Sequence, residues 1–95
     1  MDANDSRQKE LLRLSILRVL DANRTRFGLG VPAVRMGLVR FSCRAEESEV
    51  LDQLDYLGGK ALVEEVPKVI SAGNRAWRIT QQGIDFVDEQ NLSSL

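Results

Sequence analysis

The chain has 95 residues, a single cysteine, no histidine and a formal net charge of −1, which bounds it to one domain with one modest core. That composition excludes Cys–His and Ser–His dyads and any metal site built from cysteine and histidine, and no enzyme activity or cofactor is expected. No apolar run approaches a membrane span, no signal-peptide core opens the chain, and the lone Cys43 fits a reducing, cytoplasmic setting.

In chain order, residues 1–6 are expected to be a flexible start, with Asp5 or Ser6 capping a first helix that runs from about Arg7 to Ala22. Leu12, Ile16, Val19 and Leu20 form its core face. Leu11, Leu14 and Leu17 lie off that face and leave two readings open. Either they make a homodimer contact, or the C-terminal segment folds back and covers them. A basic linker from Asp21 to Arg26 ends at Phe27-Gly28. A second helix is expected over 31–40, with Pro32 in its first turn, where the missing N–H had no partner. Val34 and Leu38, with Phe41 one turn on, supply its core face. Gly37 lowers its propensity and permits close packing on a neighbouring helix. Residues 41–44 form the turn into a third helix.

The most patterned stretch runs from Glu46 to Thr80. Val50, Leu51, Leu54 and Leu57 make one apolar helical face, and Gly58 and Gly59 are expected to provide the positive φ of a helix C-terminus, beside Lys60. Two strands follow, one over 61–66 before Pro67 and one over 75–80, in which Trp77 and Ile79 alternate against Arg78. The turn between them falls at Ser71-Ala72-Gly73-Asn74. Thr80 caps a last short helix anchored by Ile84, Phe86 and Val87, and residues 91–95 are expected to be a loose tail. The expected core is Leu12, Ile16, Val19, Val34, Leu38, Val50, Leu54, Leu57, Leu62 and Ile79. These elements predict one domain over 7–90, mainly α with a small β-hairpin, in the order α-α-α-β-β-α.

That order resembles winged helix-turn-helix regulators of the ArsR, MarR and PadR kind. Three patterns carry the resemblance: Leu54-Asp55-Tyr56-Leu57 followed by Leu62-Val63, the wing strand ending in Trp77-Arg78-Ile79-Thr80, and Gln82-Gly83 directly after it. More narrowly, Leu14-Ser15-Ile16-Leu17-Arg18-Val19-Leu20, Leu29 and the spacing to Leu62-Val63 are similar to small ArsR-like proteins of Mu-like prophages. The resemblance implies double-stranded DNA as partner, with the third helix in the major groove and the wing on the backbone.

Charge complicates that implication. Residues 1–44 carry a balance of +5 and residues 45–95 a balance of −6. Such asymmetry marks an interaction surface or two halves that attract each other within the fold. Candidate DNA contacts are Arg44 before the third helix, Gln53 on it, and Lys68, Arg75 and Arg78 on the hairpin. The outward face of the third helix is otherwise acidic, which opposes phosphate attraction. The alternative function is therefore a protein-interaction module in which Glu49, Asp52 and Tyr56 dock a basic partner, without DNA binding. Glu49, Asp52 and Asp55 also stand near one another, but one convex helix face rarely wraps a metal.

Overall fold

The computed structural model describes residues 3–67 and 75–93. Its elements are α1 (Ala3–Ala22), β1 (Leu29–Gly30), α2 (Val31–Leu38), a 3-10 turn (Val39–Phe41), α3 (Glu47–Gly59), β2 (Val63–Glu65), β3 (Ala76–Ile79) and α4 (Gln81–Ser93). The expected hairpin turn at 71–74 lies outside the described residues. Mainly helical with a small antiparallel sheet, this is the winged-helix architecture that the sequence pattern predicts.

The core forms where the apolar faces of α1, α2 and α3 meet. Ile16, Val34, Leu38, Val50 and Leu54 have no exposed surface, and Leu57, Val63, Trp77 and Val87 close around them. Gly37 sits where α2 crosses α1, and a Cβ there would lie 2.6 Å from Val19 Cγ1. The close packing expected of this glycine is thus present. Among the expected core residues only Leu62 is half-buried rather than buried. The strand begins at Val63 instead of Ala61, so the alternation turns Val63 inward, and Leu62 lies in the bend before it.

Helix boundaries shift, and α2 gives way to the 3-10 turn at Val39 instead of running to Arg40. Helical backbone continues through Asp5 and Ser6 to Ala3, so neither is the N-cap, and α4 runs through residues 91–93, which were expected to be tail. Phe41 is exposed rather than buried, because the chain tightens into a 3-10 turn at Val39 and carries it off the face shared by Val34 and Leu38.

The sheet has one more strand than the sequence pattern shows. Leu29 and Gly30 pair with Trp77 and Ala76, while Val63, Glu64 and Glu65 pair with Ile79, Arg78 and Trp77. The central strand is therefore β3, and this explains why Trp77 is nearly inaccessible. Gly28, at φ +72, lets the chain enter β1 where a Cβ would collide with the Trp77 carbonyl.

The C-terminus of α3 departs from expectation. Gly58 and Gly59 belong to its last turn, and the left-handed residue is Ala61, at φ 63. The Ala61 N–H donates to the Gly58 carbonyl at 3.1 Å and the Leu62 N–H to the Leu57 carbonyl at 3.0 Å, the paired bonds of a Schellman motif. The start of α4 is as expected. Thr80 Oγ1 accepts the Gly83 N–H at 3.0 Å and donates to the Ala61 carbonyl at 2.7 Å, tying α4 to the end of α3.

Candidate nucleic-acid interface

The helix-turn-helix consists of α2, the turn over residues 39–46, and α3. A capping box starts α3, in which the Glu46 N–H donates to Glu49 Oε1 at 2.9 Å. Glu49 is therefore partly engaged in holding its own helix. Asp52 is exposed and has no hydrogen-bond or ion-pair partner among the described residues. Arg44 stands two residues before the cap. Exposed and likewise without a described partner, it is, among the candidate DNA contacts that the structure describes, the one whose charge is free for a ligand.

The other described candidates, Gln53, Arg75 and Arg78, are already engaged. Gln53 is half-buried and its Oε1 accepts a hydrogen bond from Arg13 Nε at 2.6 Å. The same guanidinium covers the Tyr56 ring at 3.8 Å, and Lys60 approaches that ring at 5.7 Å. One arginine of α1 thus occupies both the amide expected to read bases and the aromatic face expected to meet a protein partner.

On the hairpin, Arg75 is held by Glu65 at 2.9 Å and Asp55 at 3.1 Å, and it lies against the Trp77 ring. Hydrogen bonding to Glu65 first, then to Asp55, raises its pKa above the ordinary arginine value against some desolvation. Arg78 pairs with Glu64 at 2.6 Å, its cross-strand neighbour, and donates to the Arg26 carbonyl at 3.2 Å. The described part of the wing is therefore a set of neutralised pairs, not a bare basic edge. Lys68 lies outside the described residues.

Basic surface lies elsewhere. From Ala22 to Ala45 the chain carries Arg24, Arg26, Arg35, Arg40 and Arg44 and no acidic residue. Arg24 pairs with Asp21 and Arg35 donates to the Ala45 carbonyl at 3.0 Å, which fixes the turn into α3. Arg40, like Arg44, is exposed and has no described partner. The acid-free run was the readable signal for these residues, and the overall balance of the first half obscured it.

The leucine stripe of α1 is divided. Leu17 is only 1% exposed, in the core of the single chain, because α4 lies along α1. That removes Leu17 from the expected dimer contact. Leu14 is half-buried and Leu11 is 58% exposed. An apolar groove of about 650 Å³ remains between α1, the end of α3 and α4, with Arg7, Arg13 and Lys60 among the residues that line it. Among the described residues no three side chains of metal-ligating type converge, and no helix is long and apolar enough to cross a membrane.

No protein-family model and no curated protein matches the sequence. Among solved structures, the chain is similar to a PadR-like transcription factor from Bacteroides fragilis, with a TM-score of 0.79 over 98% of this chain and 88% of that one. At 17% identity, the likeness is one of fold.

Proposed function

We propose that this protein is a small winged-helix DNA-binding regulator, of phage or bacterial type, that grips the duplex backbone with the arginines leading into α3. The observation that carries this reading is the acid-free run from Ala22 to Ala45, which leaves Arg40 and Arg44 exposed and without a described partner at the entrance to α3. In a helix-turn-helix the second helix enters the major groove, so cations at its N-terminal approach lie beside phosphates. Support for a regulatory role comes from the fold shared with a PadR-like transcription factor. Arg75 and Arg78 contribute little charge in this reading, because Glu64, Glu65 and Asp55 neutralise them.

The acids on α3 weaken the grip. Glu47, Glu49 and Asp52 face solvent, where they repel the backbone while offering acceptors to cytosine amino groups. Gln53 reads an adenine only after Arg13 releases it. Fluorescence anisotropy with a random-sequence duplex at low salt tests the reading. The parent protein binds, added salt weakens binding steeply, and Glu49→Gln with Asp52→Asn strengthens it. Absence of binding at the lowest salt removes the proposal.

A second reading is favoured by the same acids. With the wing arginines neutralised and Asp52 unpaired, α3 offers an acidic face suited to a basic protein partner. A homodimer in the cytoplasm belongs to both readings.

A further inference from the structure

The outer face of α2 carries apolar side chains that DNA binding does not use. Pro32, Met36 and Val39 follow one another at i, i+4 and i+7, and all three are exposed, Met36 at 76% and Val39 at 61%. Val39 keeps helical φ and ψ, so the three lie along one line although the α-helix ends at Leu38. Val31, Val34 and Leu38, on the opposite face, are the residues of α2 that fill the core. The outer line adds nothing to that core, and adjacent apolar side chains left this open mark a contact surface.

Charge beside the line has one sign. At the helical period Arg35 and Arg40 fall on opposite sides of it. Neither meets a carboxylate among the described residues: Arg35 donates to the Ala45 carbonyl, and Arg40 has no described partner. No acid stands between Ala22 and Ala45. The next one along the chain, Glu46, has its carboxylate on the Glu49 N–H in the capping box of α3. The flanks of the line are thus positive without compensation, which selects an anionic occupant.

We propose that α2 docks an acidic amphipathic helix of another protein. Its apolar ridge lies on Pro32, Met36 and Val39, and its carboxylates straddle the line to reach Arg35 and Arg40. The apolar line decides among the anionic occupants. A nucleic-acid backbone uses the arginines and leaves Met36 and Val39 without a partner. An anionic lipid surface needs a broad apolar face rich in Trp, Phe or Leu, and this line is one side chain wide and has none of them. A helix with apolar residues at i, i+3 or i+4 and i+7 matches its spacing and its width. A second copy of this chain does not qualify, because its acidic helix, α3, keeps Val50, Leu54 and Leu57 in the core and has no apolar ridge to offer. The docking goes beyond the DNA reading and does not depend on it. Arg40 is common to both, so the partner helix and a duplex bound as proposed above exclude each other. One line of side chains covers less than the ~800 Å² per partner of a stable complex, so the contact is weak and salt-sensitive.

The probe is a synthetic helical peptide with leucines at i, i+3 and i+7 and glutamates on both sides of that ridge. Its control is a scrambled peptide of the same composition. Fluorescence anisotropy at low salt gives the affinities, and amide chemical-shift changes give the place. The parent binds the ordered peptide roughly tenfold more tightly than the scrambled one, with shifts centred on residues 32–40. Met36→Ser with Val39→Ser, its fold checked by circular dichroism, binds the two peptides alike and keeps the parent's salt slope on a random duplex. Arg40→Gln weakens the ordered peptide and, on the DNA reading, lowers that slope by about 0.9. No binding of the ordered peptide, equal binding of both peptides by the parent, or shifts away from α2 overturns the proposal. Tighter binding to phosphatidylglycerol vesicles than to the peptide overturns it in favour of a lipid surface. Shifts at Met36 and Val39 on raising the protein concentration alone overturn it in favour of a second copy. A parent that binds the peptide but no duplex leaves the docking standing and removes only the DNA reading; a parent that binds duplex but no peptide does the reverse.

Discussion

Replacing Gly37 tests the junction that holds the helix-turn-helix on α1. A Cβ at this position lies 2.6 Å from Val19 Cγ1 and 3.1 Å from Cγ2. Val19 is buried and β-branched, so it cannot rotate its methyl groups away cheaply. Two effects oppose each other in Gly37→Ala. Helix propensity gains about 0.8–1 kcal/mol, while overpacking a filled core costs about 1–3 kcal/mol. The net expectation is a loss of about 0–2 kcal/mol in the parent. In a Val19→Ala background the obstruction is gone and the same substitution gains about 1 kcal/mol. Urea unfolding of the four proteins, followed by the emission of the single tryptophan, Trp77, gives the coupling, expected at about 1–3 kcal/mol. If Gly37→Ala stabilises the parent by as much as it stabilises the Val19→Ala protein, α2 does not pack on α1 as described.

Leu54→Ala, at a fully buried site on α3, is expected to cost about 2–5 kcal/mol in the same assay. Leu17→Ala should fall in that range too, whereas Leu11→Ala should stay within about 0.5 kcal/mol of the parent, because Leu17 is core and Leu11 is surface. Ala61→Gly relieves a left-handed alanine and is expected to raise stability by about 0.5–1 kcal/mol, read as a higher urea midpoint at unchanged slope.

How much of this was legible in the sequence depended on whether a feature is periodic or relational. The helical period placed Val50, Leu54 and Leu57 inward on α3 and Ile16 and Val19 inward on α1, and all are buried. Thr80 was readable as a cap, since a side-chain oxygen before a helix has one dominant use. β1 was not readable: two residues carry no period, and the strand exists only because β3 lies beside it. Ala61 escaped because two glycines stood nearby, and glycine is the usual choice for positive φ. The burial of Leu17 depends on where α4 lies, which periodicity within α1 cannot encode. At the candidate site the charges were visible and their partners were not. Arg75 and Glu65 are ten positions apart, and Arg13 and Gln53 forty apart, so only the fold brings each pair together.

On the proposed reading the arginines before α3, not those of the wing, meet the phosphates. The slope of log affinity against log salt for a random duplex tests it most directly, because each lost phosphate contact lowers its steepness by about 0.9. Arg40→Gln with Arg44→Gln is expected to lower the steepness by nearly 2, about two contacts, and Arg75→Gln with Arg78→Gln to leave it nearly unchanged. A full loss of slope from the wing pair, with none from Arg40 and Arg44, would contradict it.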